Sequence, residues 1–138
     1  MCNAREESLD HVMALCSTTR LVAAYMARWI EWWSVNEASA QALWTAICND
    51  NIKEDPFSKL VRKAICVAFF WTMWRFRNDK VFNGKLVKER EICDQVQFLA
   101  INWIRGRCTL GKFLSWDNWI CNPLYAVTNC NSLAPRWF

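Results

Sequence analysis

The chain reads as a small, mainly α-helical domain, and three observations predict it. Only three glycines and three prolines punctuate 138 residues, too few for the many tight turns of a β-fold. Apolar side chains recur at steps of three and four along most of the length, the period of helices with one buried side. Hydrophobic residues make up 54% of the chain, ample for one core at this size. About five helices are expected, followed by an irregular C-terminal tail.

Taken in order, Ser8 is placed to cap a short helix running to Cys16, with Leu9, Val12 and Leu15 on neighbouring turns. Thr18 or Thr19 would cap the next helix, over 20–33. Its buried side is expected to carry Leu21, Ala24, Tyr25, Arg28, Trp29 and Trp32, with Arg28 extending its charged head outward. Residues 34–37 break the pattern. A third helix over 39–48 presents Leu43, Trp44 and Ile47, and Asn49, Asp50 and Asn51 signal a turn.

Asp55-Pro56 is a strong helix start, because the carboxylate accepts from the first free amides and proline is preset for the first helical position. From there to about Lys80 the central helix is expected to bury Leu60, Ala64, Val67, Phe70, Trp71 and Trp74, with Lys59, Arg62 and Lys63 near the other side. Asn83-Gly84 ends it with residues that tolerate left-handed backbone. A fifth helix over 86–105 carries Val87, Ile92, Val96, Leu99 and Trp103, and Gly106 is expected to terminate it. Beyond Cys108 no sustained period continues, and the last ten or so residues are expected to be disordered. The chain has no internal repeat.

Charge divides unevenly. Residues 1–55 hold four basic and eight acidic side chains, whereas residues 56–138 hold thirteen basic and five acidic ones, so the overall +4 conceals a second half at +8. Such an excess fits a polyanionic partner if the cations converge. The candidates for one basic surface are Lys59, Lys63, Lys85, Lys88, Arg90, Arg105, Arg107 and Lys112. The longest apolar run, Ala64 to Trp74, is eleven residues, well short of the ~20 that a membrane span needs, so no membrane partner is expected. Polar and charged residues directly after Met1 do not read as a signal peptide, and an intracellular location, nuclear or cytoplasmic, is expected. In that setting the eight cysteines are read chiefly as thiols, with Cys48, Cys66 and Cys93 as small core residues and Cys108, Cys121 and Cys130 left open.

Two groups of residues suggest chemistry. Cys2, His11 and Cys16 have the character of three of the four ligands that zinc takes in a tetrahedron. Residues five apart point about 140° away from each other on an α-helix, so a helix alone would not aim His11 and Cys16 inward together, whereas a fraying helix end would. The bland alternative is a frayed N-terminus with a buried cysteine. Trp71, Trp74, Arg75, Phe76, Arg77 and Lys80 form a cationic aromatic cluster of the kind that contacts phosphates and stacks on bases. Its bland alternative puts Trp71 and Trp74 in the core, with Arg75 and Arg77 as a solvated rim. Asn78 is read as part of a helix-end turn.

The spacing Cys2-x8-His11-x4-Cys16, with Glu7, Leu9 and Asp10 leading into the histidine, resembles the zinc-binding segment that follows the reverse transcriptase of plant LINE-type, non-LTR retrotransposons. Trp29, Trp32 and Trp33 resemble the aromatic helix after that knuckle, the run from Trp71 to Asn83 resembles the tryptophan-rich helix and Arg-Asn turn, and Ser115 to Trp119 fits the family's tail. In that family a Cys-x2-Cys pair opens the motif, and here Cys2 would be its second member. The resemblance implies Cys2, His11 and Cys16 as zinc ligands, Arg75, Arg77 and Lys80 as the basic nucleic-acid contacts, and RNA or DNA as partner. It also implies three segments: 1–33 as a truncated zinc-binding part, 34–120 as a tryptophan-rich helical region packed with it, and 121–138 as a flexible tail.

Catalysis is not expected. A polymerase holds its metal ions on adjacent aspartates, and no Asp-Asp pair occurs in this chain. His11 is the one histidine, and no acid or glycine-rich turn supports it as a base for Cys16. Phosphate-loop and dinucleotide fingerprints are also missing. The expected function is a non-catalytic fragment that assists nucleic-acid binding, with a decayed or purely protein-interacting helical domain as the alternative.

Overall fold

The computed structural model describes residues 8, 11–33, 37, 39–48, 53–85 and 88–133. Six α-helices are formed among them: α1 (Ser17–Trp29), α2 (Ala40–Ile47), α3 (Pro56–Asn83), α4 (Glu89–Arg107), α5 (Trp116–Cys121) and α6 (Pro123–Leu133). A π-helical turn at His11–Leu15 precedes α1, and a 3₁₀ turn at Leu110–Phe113 joins α4 to α5. No strand occurs among the described residues. The mainly α expectation holds.

Several helix ends follow local chemistry, but Thr18 and Thr19, expected as caps, lie inside α1, whose start at Cys16 has no side-chain cap. Asp55 accepts from the Ser58 amide at 2.8 Å and from the Ser58 hydroxyl at 2.9 Å, with Pro56 in the first turn of α3. Burial pushes the Asp55 carboxyl up, but these hydrogen bonds outweigh it and the net effect holds the group below its ordinary value of 3.8. Gly84 closes α3 at φ 62°, and the amides of Gly84 and Lys85 return to the carbonyls of Lys80 and Asp79. Ser8 Oγ accepts from the His11 amide, as its sequence position predicts, and Ser39 Oγ accepts from the Ala42 amide. Gly106, by contrast, lies inside α4, which runs on to Arg107. The next glycine is the constrained one. A Cβ on Gly111 would collide with the Ile104 carbonyl, so the 3₁₀ turn can close against α4 only without a side chain there.

The core is centred on α4, which packs on α3 and on α1. Val61, Ile65, Phe69 and Met73 face inward from α3, and Val96, Ala100, Ile101 and Ile104 from α4. Val22, Met26 and Trp29 meet them from α1. This corrects two expected faces. On α1 the buried set is Thr19, Val22, Ala23, Met26 and Trp29, while Leu21, Ala24 and Arg28 face solvent. On α3 the buried set includes Val61, Ile65, Phe69 and Thr72, while Leu60, Val67, Trp71 and Trp74 face solvent.

In α3 the covered stripe is offset by one residue, about 100° round the helix, from the expected one. Both stripes are apolar, so periodicity alone did not choose between them.

The segment after α4 is more ordered than its pattern predicts. Trp119 is fully buried, its indole N–H donates to the Gln97 carbonyl at 3.0 Å, and its own carbonyl accepts from Trp29 Nε1 at 2.7 Å. The two rings meet edge to face at 5.4 Å. One tryptophan therefore ties α5 to both α1 and α4. Helix α6 follows, burying Ala126 and Val127, where an irregular stretch was expected. Residues 134–138 lie outside the described residues.

Candidate functional site

The π-helical turn supplies the departure from α-geometry that the His11 and Cys16 pair requires. The Cys16 amide donates to the His11 carbonyl at 2.7 Å, an i to i+5 closure that brings residue 16 round over residue 11. Both side chains are buried, His11 at 4% exposure and Cys16 at 0%. The Thr19 hydroxyl donates to the Val12 carbonyl and fastens the turn to α1. Cys2 lies outside the described residues. Among the described residues no three His, Cys, Asp or Glu side chains gather as a metal-holding group. His11 and Cys16 alone would fill half of a tetrahedron.

Two core cysteines, Cys66 and Cys93, are held as thiols. Cys66 is buried beside Cys48, and the hydrogen bond between the thiols together with burial pushes the Cys66 thiol far above its ordinary range. Burial, with a contribution from Asp94, pushes Cys93 up to about 12. Its sulfur sits 3.7 Å from the Met26 sulfur inside the core. Thiols held protonated in this way are poor nucleophiles. Cys48 and Cys108 are half-buried and Cys121 is exposed.

The cationic aromatic cluster is assembled on the outer side of α3. Trp71 is 53% exposed and Trp74 39% exposed, so the core reading of these two rings is overturned. The Arg77 guanidinium lies over the Trp74 ring at 5.2 Å and donates to Asn78 Oδ1 at 2.9 Å. Arg75 is exposed, and Lys80 is half-buried one turn beyond. Trp71 and Trp74 join Val67, Phe70 and Met13 in lining a shallow concavity of about 360 Å³. Met13 belongs to the π-turn. The segment holding His11 and Cys16 thus forms one wall of the surface that carries the tryptophans, a juxtaposition that residues so far apart in sequence do not announce.

Towards the start of α3 the same side continues into a cleft of about 330 Å³ lined by Leu60, Lys63, Ala64, Val67, Trp103 and Arg107, among others. Lys63 and Arg107 therefore belong with this surface. The other basic candidates scatter. Arg105 donates to the Leu114 carbonyl at 2.7 Å and secures the 3₁₀ turn, while Arg90 lies in a separate cleft with Arg28. Arg62, expected near the solvent side, is 8% exposed, pairs with Glu54 at 2.7 Å and lies 4.3 Å over the Trp32 ring.

No described helix is long and apolar enough to cross a membrane. The chain matches no protein-family model, no curated protein and no solved structure.

Proposed function

We propose that this chain is a non-catalytic fragment of a retrotransposon reverse transcriptase, its zinc-binding region, and that it assists nucleic-acid binding through the outer side of α3. The observation that carries the reading is the exposure of Trp71 and Trp74 on the helix segment that holds Arg75, Arg77 and Lys80. Indole faces take unpaired bases while guanidinium and ammonium groups take the phosphates between them. Arg77 over Trp74 orients a cation beside a stacking face. In this reading Cys2, His11 and Cys16 are zinc ligands beside a fourth donor, and the metal orders the chain segment next to Met13. Native mass spectrometry of the zinc-supplemented chain should then find one zinc, lost in Cys16→Ser.

The binding test is fluorescence anisotropy of a labelled single-stranded RNA, repeated with the DNA of the same sequence, across a salt series. Affinity should fall steeply with salt, and replacing Arg75, Arg77 and Lys80 by alanine should lower the slope of log K against log salt by about two, near the ~0.7 expected per phosphate contact on single strands. Trp71→Ala should weaken binding about tenfold at every salt concentration. Salt-independent association, or none, would remove the nucleic-acid reading.

The alternative, a helical domain that only docks another protein, is favoured by the exposure of Leu60, Val67, Val81 and Phe82 along the same helix. An apolar surface of that kind suits a protein partner. It predicts no loss of function from the triple alanine variant.

A further inference from the structure

A second cleft, between α1, α4 and α5, has the composition of a small-ligand site. It encloses about 540 Å³ and is lined by Tyr25, Arg28 and Trp29 from α1, Arg90, Cys93, Asp94 and Gln97 from α4, and Trp116 and Ile120 from α5. That volume lies within the span of ligand pockets in general. Its chemistry is sorted along α4. Arg90, Asp94 and Gln97 follow one another at helical spacing, about 10 Å from first to last, so a cation lies at one end and hydrogen-bonding groups at the other. Arg28 lies over the Tyr25 ring at 5.5 Å on the facing helix and brings a second guanidinium to the cleft. Trp116 is 37% exposed and offers a ring to the opening, held edge-on by Phe98 at 6.4 Å.

Planar walls with two guanidinium groups select a flat aromatic body carrying an oxyanion, because arginine binds phosphate in a bidentate fork and aromatic rings accept a stacked plane. Two such bodies are a nucleoside monophosphate and a phosphotyrosine. Asp94 and Gln97 separate them. A nucleobase presents amino and carbonyl groups on a rigid edge at the end away from its phosphate, and Asp94 can accept from an amino group there, whereas the ring edge of a phosphotyrosine is apolar and its polar groups lie beyond it on a flexible backbone.

We propose that this cleft binds one nucleoside 5′-monophosphate, with phosphate at Arg90 and at Arg28, which Tyr25 holds in place, the base against Trp116, and its amino edge at Asp94. The site shares no residue with the outer side of α3. It therefore stands or falls apart from the nucleic-acid reading above.

The test is titration of the isotopically labelled full chain with AMP, GMP, CMP, UMP, inorganic phosphate and O-phosphotyrosine, following backbone and indole N–H signals by NMR. AMP, GMP and CMP should shift the Trp116 indole and the amides of α4 near Arg90 and Asp94, with UMP several-fold weaker and phosphate alone weaker still. Arg28→Ala and Arg90→Ala remove exposed side chains without touching the core, and each should weaken AMP about tenfold. Trp116→Ala should do the same through the base. Asp94→Asn should narrow the gap between CMP and UMP. Absence of shifts at the cleft, phosphate binding as tightly as AMP, or O-phosphotyrosine binding more tightly than any nucleotide would each overturn the proposal.

Discussion

The two sides of α3 are built from nearly the same residue types and live in opposite surroundings. The inner side places Val61, Ile65, Phe69 and Met73 at 0% exposure against α4 and neighbouring elements, whereas the outer side leaves Leu60, Val67, Trp71 and Trp74 in solvent. A helix that is apolar all round is usually enclosed on every side. Here the described helices cover one side only. The uncovered side then becomes a place for a partner, and the basic residues at its margin narrow what that partner is.

Substitutions in neighbouring positions break the comparison most sharply. Phe69→Ala empties a fully enclosed position beside Trp33, whose ring lies 4.8 Å away, and should cost about 3–5 kcal/mol in chemical denaturation. Trp71→Ala, two positions along, should change stability by less than about 1 kcal/mol while weakening nucleic-acid binding. Equal losses would mean that the outer side is covered in solution.

The next pair tests charge rather than packing. Arg62→Ala leaves the largely enclosed Glu54 carboxylate without its ion pair and removes a cation from the Trp32 ring, and a loss of about 3 kcal/mol is expected. Lys63→Ala, on an exposed side chain, should cost no more than about 0.5 kcal/mol. Thermal melts of the two variants measured together give the answer directly.

A smaller effect belongs to the start of α3, which both sides share. Asp55→Ala should cost about 1 kcal/mol at neutral pH through loss of the cap. Because folding lowers the Asp55 carboxyl below its ordinary 3.8, the cap's contribution is full above that value and disappears as pH falls through the folded-state value. The melting-temperature gap between wild type and Asp55→Ala should therefore close on acidification well below 3.8. A gap unchanged at low pH would show that the carboxylate is not what holds the helix start.

A similarly small stability effect is expected on the outer margin. Arg77→Ala should lower the melting temperature by no more than a few degrees, since the cation–π contact of its half-buried guanidinium with Trp74 is worth about 0.5–1 kcal/mol. Its effect on RNA affinity should exceed its effect on folding.

How much was legible before the structure differs from feature to feature. The cap at Asp55 and the left-handed closure at Gly84 were readable because they depend on one or two residues and the peptide bonds beside them. The burial of Trp119 was not, because its hydrogen bonds reach Gln97 and Trp29, far away along the chain. Arg62 misled for the same reason: a charged residue reads as solvent-facing until Glu54 and Trp32 are brought to it. A signal for the α1 face was nevertheless present, since Val22, Met26, Trp29, Ile30 and Trp33 form a charge-free stripe while the expected one contained Arg28. For the candidate site, the sequence named Trp71, Trp74, Arg75, Arg77 and Lys80 as a cluster but favoured the wrong surroundings for its tryptophans.

By itself the sequence determined the helical class, the separation of an acidic first half from a basic second half, and where the long helix begins and ends. Those follow from period, composition and capping, which act over a few residues. Tertiary structure alone decided which side of α3 is covered, how a π-turn turns His11 and Cys16 inward together, and that Met13 meets Trp71 and Trp74 on one surface. The physical reason is that burial belongs to pairs of elements: when both stripes of a helix are apolar, the choice rests with what packs against it.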